Sequence, residues 1–145
     1  MLARRGNRGF TLLELLVVIV LIGIATGLVG FGLQQGLRQA SERKVVAQVV
    51  EALRATRVRA IVTGQPARTE FDLAQQQFQA PGQPRRSWPK GLRVQLQTAA
   101  ELGAAFEFYP DGGASGGNVL VSQGERRWRV DIAWLTGTVR SQALP

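Results

Sequence analysis

Between Leu15 and Leu33 the chain carries no charged residue (LLVVIVLIGIATGLVGFGL), and Phe10 to Leu13 extend the apolar stretch on its N-terminal side with only Glu14 interrupting. Crossing a hydrocarbon layer of ~30 Å takes roughly 20 apolar residues in a helix, because lipid offers no partner to a backbone amide or carbonyl. The run is long enough. Ahead of it lies MLARRGNRG, with Arg4, Arg5, Arg8 and no acid. Basic flanks stay on the cytoplasmic side, which predicts a single pass with the N terminus in the cytoplasm and the remainder beyond the membrane. A removed secretory signal is the competing reading. It calls for an apolar core of about 7–15 residues closed by an A-x-A-like site, whereas this run is longer and polar helical sequence continues directly from it.

Glu14 is out of place in such a run. A carboxylate in a membrane helix costs roughly 2.5–3.5 kcal/mol on insertion scales, so it persists where it has a partner or a task. Near the end of the segment it could also snorkel to the headgroups.

The rest of the chemistry is bounded by what is missing. With no Cys and no His, thiol nucleophiles, disulfides, imidazole acid–base catalysis and Ser-His-Asp triads are excluded, so a non-enzymatic role without a cofactor is expected. Glu101, Glu107, Asp111, Glu125 and Asp131 have no metal-ligand spacing, and no metal is expected.

Gly23, Gly27, Gly30, Gly32 and Gly36 interrupt the second half of the apolar run, with GxxxG spacing at 23/27 and 32/36. Small residues allow close helix packing in lipid, and each lowers helix propensity by roughly 1 kcal/mol. Past Gln34 the pattern becomes amphipathic. Val45, Val46, Val49, Val50, Leu53, Ala60 and Ile61 fall on one broad face, with Arg43, Lys44, Arg54, Arg57 and Arg59 mostly off it, until Gly64 and Pro66 stop the helix. From Ala67 onward period-2 alternation takes over: Thr69-Phe71-Leu73, Leu92-Val94-Leu96, Phe106-Phe108, Val119-Val121 and Trp128-Val130-Ile132-Trp134. Turn chemistry separates them at 80–84, 88–91, 110–117 and 136–138. The expectation is an α+β fold in which a long N-terminal helix, half transmembrane and half amphipathic, packs its soluble half against an antiparallel β-sheet head.

Trp128 and Trp134 share parity with Val130 and Ile132 and are expected in the core rather than on a stacking platform; Trp88, between Ser87 and Pro89, has no assigned place. The glycine-rich string FEFYPDGGASGG (106–117) has amides that could cradle an anion, but no Lys and no helix follow in P-loop register, so a hairpin connection is expected. Arg126, Arg127, Arg129 and Arg140 form the candidate interaction surface. They are a solvated charged face or a patch that grips an acidic partner or nucleic-acid phosphates.

The string RGFTLLEL, Arg8 to Leu15, resembles the processing site of type IV pilins and type II secretion pseudopilins. The resemblance implies cleavage by a prepilin peptidase between Gly9 and Phe10, N-methylation of Phe10 by the same peptidase/methyltransferase, and an assembly role for Glu14 at the fifth mature position. A second resemblance covers roughly 45–140. The PDG-glycine turn at 110–113 and the Leu135-Thr136-Gly137 turn look like the C-terminal half of the H-type minor pseudopilins, which are related to FimT-type minor pilins. Together they imply a cleaved leader (1–9), a transmembrane and filament-core helix (10–33) and a periplasmic head (34–145: amphipathic helix 34–63, β region 67–145) on the bacterial inner membrane. Partners would be membrane lipid, other major and minor pseudopilins and the inner-membrane secretion platform. The function implied is that of a structural subunit of the type II secretion pseudopilus. The alternatives are a minor pilin whose arginines bind DNA and a membrane-anchored sensor with an uncleaved helix.

The chemistry of the processing site stands apart from the resemblance. Gly9 lets a protease approach the backbone closely, and cutting there removes three arginines, lowering the formal net charge of +8 by three. The new ammonium group lies in the same layer as Glu14. Each relieves the other's desolvation, so Glu14 of one subunit meeting the Phe10 amine of a neighbour would set axial register.

Overall fold

The computed structural model describes residues 10–145, with the side chains of 29–39 left out. The leader, including Gly9, lies outside the described residues. One helix, α1 (Leu12–Thr63), is followed by eight strands: β1 (Ala67–Asp72), β2 (Gln77–Gln79), β3 (Arg86–Ser87), β4 (Arg93–Gln97), β5 (Ala105–Phe108), β6 (Gly117–Gln123), β7 (Arg126–Ile132) and β8 (Val139–Leu144), with a short 3-10 turn at Ala100–Leu102. The chain divides into two units, Met1–Gln39 and Ala40–Pro145.

In the first unit the described helix surface is exposed throughout, from Leu12 to Leu28. A β-carbon built on Gly23 or Gly27 would meet no atom within 4 Å. Among the described residues these glycines have open space beside them. Among the described residues no helix is long and apolar enough to cross a membrane; the expected run continues to Leu33, into side chains outside the description.

In the second unit the helix buries a stripe. Val45, Val46, Val49, Ala52, Leu53 and Ala60 are nearly or wholly inaccessible, and the steps 42, 46, 49, 53, 56, 60 follow the three- and four-residue spacing that keeps side chains on one face. Ile61 was expected on this face but is 44% exposed, because one residue beyond Ala60 turns the side chain about 100° around the axis. Thr56 sits inside the stripe with its hydroxyl fully used: Oγ1 donates to the Ala52 carbonyl (2.8 Å) and lies 2.7 Å from Thr69 Oγ1 on β1.

The β region forms two four-stranded antiparallel sheets rather than one, ordered β3-β2-β1-β5 and β4-β6-β7-β8. The first is closed by aromatics. Phe71 stacks on Phe78 (5.6 Å between centroids), meets Phe106 edge-on (5.8 Å), and Phe78 stacks on Trp88 (6.2 Å). Trp88, unassigned from sequence, is only 5% exposed. Leu73 was expected to continue the β1 alternation and instead lies exposed, since Asp72 accepts a hydrogen bond from the Gln75 amide (2.8 Å) and turns the chain. The second sheet contributes Val119, Val121, Val130, Ile132 and Val139 to the same core, with Val94, Leu96 and Trp128 packed against it.

Two arginines fasten the helix. Arg54 donates to the Val139 carbonyl (3.0 Å), and Arg86 on β3 makes a two-pronged contact with Glu51 (2.8 and 3.2 Å). The Arg86 hydrogen bonds hold the Glu51 carboxyl below the usual range, and Glu51 in turn raises Arg86. A carboxylate lowered on folding stabilises the fold above its unfolded pKa, and that contribution is lost as pH falls through the folded value.

Because Leu53 is buried among both sheets' side chains, Leu53→Asp should leave a fragment spanning 34–145 unfolded by circular dichroism, an unpaired buried charge costing several kcal/mol against a stability of about 5–15 kcal/mol. Native-like melting of that variant would refute the buried face.

Candidate assembly and interaction sites

Phe10 is 75% exposed and precedes the helix. Thr11 caps it: the Glu14 amide donates to Thr11 Oγ1 (3.2 Å) and the Leu15 amide to the Thr11 carbonyl (3.2 Å). Thr11 and Glu14 thus occupy the N-cap and third helical positions of a T-x-x-E capping pattern. This use of the pair is legible in the sequence and was missed there, the acid having been read as a filament contact or a headgroup snorkeler. Capping places the Glu14 carboxylate in the first turn, where the amide dipoles favour negative charge. It also sets the Glu14 backbone at the start of the helix, four residues from the amine that cleavage before Phe10 would create.

The four candidate arginines do not share one face. In β7 side chains alternate, and Val130 and Ile132 are buried; Arg126 therefore points to the helix side, where it pairs with the buried carboxylate of Glu42 (3.6 Å). Arg127 and Arg129 project from the opposite face. Arg140 joins them, since its register partner is Asp131 and its neighbour Val139 is the buried one. Arg93 on β4 was missed as a member of this face. Its partner is Ser122, which pairs onward with Arg127.

Trp134 was expected in the core with Trp128. Trp128 is partly buried against it, whereas Trp134 is 70% exposed: β7 ends at Ile132 and the chain turns, with the Gly137 amide donating to the Ala133 carbonyl (2.8 Å). That turn meets the PDG-glycine turn. The Ala114 amide donates to the Trp134 carbonyl (2.8 Å), and Arg57 of the helix donates through Nε to the Gly112 carbonyl (3.0 Å). At Gly137, φ is +61° and a β-carbon would stand 2.2 Å from the Gly112 carbonyl oxygen. Only glycine fits there. Within the PDG turn the Gly112 amide is spent on the Tyr109 carbonyl (2.9 Å) and the Gly113 amide on Asp111 Oδ1 (2.9 Å), so neither faces outward to cradle an anion. Arg57 is the residue that sequence reading passed over, a charged side chain off the apolar face giving no sign that it would bond to the PDG turn and lie against Gly137. No acid or imidazole cluster able to hold a metal occurs among the described residues.

The sequence profile of the prokaryotic N-terminal methylation motif matches residues 4–30. Type II secretion system protein H of Xanthomonas campestris pv. campestris is 38% identical over 147 residues, spanning 97% of this chain and 86% of that protein. The chain belongs to the type II secretion system protein H family. Its fold is similar to that of the minor pseudopilin EpsH from the type 2 secretion system of Vibrio cholerae, with a TM-score of 0.59 and 14% identity over 71% of this chain and 97% of that one. The resemblances carried by RGFTLLEL and by the two turns therefore hold, and the pilus-type alternative is not favoured.

Within this family member the two turns and Arg57 form one clasp. Gly137→Ala should destabilise the head by on the order of 2 kcal/mol or more, the new side chain meeting backbone in a left-handed conformation, and thermal unfolding would show it as a clearly lowered Tm. An unchanged Tm would mean that the close approach of the turns is dispensable.

Proposed function

We infer that this chain is a minor pseudopilin, a non-enzymatic structural subunit of the pseudopilus of a type II protein secretion system. The observation that carries the inference is the family membership over nearly the whole chain, joined to a capped helix whose described apolar side chains, Leu12 to Leu28, are exposed. A fully apolar, unpartnered helix is a membrane segment or a packing element in an assembly, and a pseudopilin uses it as both in turn.

The chain inserts in the inner membrane with its N terminus in the cytoplasm and its head in the periplasm. A prepilin peptidase cuts between Gly9 and Phe10 and the Phe10 amine is methylated. The mature helix then leaves lipid for the filament core, where other major and minor pseudopilins replace the lipid around Leu12–Leu28, driven by the secretion platform at the inner membrane. Glu14 sets the step. Held at the first turn by the Thr11 cap, it receives the Phe10 ammonium of a neighbour, and the pair settles axial register because any other offset leaves both charges unpartnered in an apolar layer.

Glu14→Leu should therefore be inserted and cleaved normally, giving a mature chain that starts at N-methylated Phe10 by mass spectrometry, and yet fail to crosslink to other pseudopilins or support secretion. Removing one partner of a desolvated pair costs roughly 3–5 kcal/mol. A processed Glu14→Leu chain that assembles and secretes like the unsubstituted one would show that Glu14 only snorkels.

A further inference from the structure

The register of the second sheet lays out its outward face. Across the strands, Arg93, Ser122, Arg127 and Leu144 form one row, Gln95, Leu120, Arg129 and Gln142 the next, and Gln97, Asn118, Asp131 and Arg140 the third. The intervening residues Val119, Val121, Val130 and Ile132 are buried on the helix side, so these rows face away from it. The face bears four arginines and one acid. Asp131 is already engaged: Arg129 Nε lies 3.0 Å from its Oδ1, and Gln142 Nε2 donates to its Oδ2 (3.2 Å). Arg93, Arg127 and Arg140 are exposed and make no ion pair among the described residues.

We propose that this face docks the acidic surface of another protein subunit in the assembly, with Arg93, Arg127 and Arg140 as its three free cations. The proposal rests on the pseudopilin reading and adds a second contact to it, on the head rather than the N-terminal helix. Strands about 4.8 Å apart and residues rising about 3.3 Å each place Arg93 about 10 Å from Arg127 and Arg140 about 13 Å along from Arg127. Those spacings match carboxylates about two turns apart on a helix (~11 Å) or four residues apart on a strand (~13 Å). Arginine suits the task, since its guanidinium is weakly hydrated and meets a carboxylate with two parallel hydrogen bonds.

Three features point to a protein rather than a nucleic acid. Leu120 lies at the middle of the face, between Gln95 and Arg129 across the strands and Asn118 and Ser122 along its own, as in an interface with an apolar centre and polar rim. No aromatic residue occurs in the three rows to stack on a base. Asp131 stands fixed among the arginines, where it would repel phosphate and still accept from a protein donor.

The test uses the full chain in cells with an active secretion system, carrying a photo-crosslinking amino acid at Gln95 on the face or at Leu16 on the apolar helix. From position 95, mass spectrometry should find a segment of another pilin-like head rich in Asp and Glu. Arg127→Glu with Arg140→Glu should lower that crosslink about tenfold or more, since like charges juxtaposed in an interface cost several kcal/mol, and Arg127→Gln alone should lower it less. Both positions are exposed, so folding, Phe10 processing and the crosslinks from position 16 should persist. Acid-to-arginine changes in the partner segment should restore the crosslink to the double variant. Crosslinks from position 95 to nucleic acid or to a segment without acids, or a yield indifferent to the double reversal, would overturn the proposal. Loss of crosslinks from position 16 in the otherwise unsubstituted chain would instead overturn the pseudopilin reading, and the docking face with it.

Discussion

The contact between one stripe of α1 and the inner faces of two sheets is what the head depends on. Each sheet alone is a four-stranded ribbon with one apolar face, and neither face has another element to cover it. The stripe from Val45 to Ala60 meets both, so the helix is the centre of the core rather than its lid. Thr56 makes the arrangement specific. Its hydroxyl is satisfied by the Ala52 carbonyl and by Thr69, and a shift of the helix against β1 would leave the buried Thr69 hydroxyl without this partner, at about 1–3 kcal/mol. Arg54, Arg57 and Glu51 then tie the helix flanks to β8, to the PDG turn and to β3.

The same helix carries two opposite solvent requirements. Its later half is amphipathic and finds its partners within the chain, which lets the head fold around it. The earlier half is apolar on every described side and finds none. A surface of that kind is satisfied by lipid or by neighbouring helices. Gly23 and Gly27, with open space where a side chain would be, leave room for a second backbone to approach closely.

What could be read from the sequence was whatever repeats. The valine stripe, the strands β1 and β4 to β7 and the position of the helix stop follow from periods of 3.6 and 2, and RGFTLLEL is a string long enough to identify its family. What escaped has no period. Phe78 stands alone in QQQFQA on a three-residue strand, and Trp88 sits in a two-residue strand's margin between Ser87 and Pro89, yet their stacking closes the first sheet. Parity failed where a strand ended sooner than the alternation did, exposing Trp134 and Leu73. It could have separated Arg126 from Arg127, since neighbours in a strand face opposite ways, but a cluster of like charges invites reading as one patch. The clasp of Gly112, Gly137 and Arg57 is three-dimensional and left only its glycines as a trace.

Hydrogen exchange on the full chain compares the two halves of α1 directly. In detergent-extracted monomer the amides of 45–60 should be the most protected in the chain and should exchange together with β1 and β7, as parts of one cooperative core. Protection of 45–60 that falls away while the strands remain protected would contradict the account, because the sheets would then hold together without the helix stripe between them.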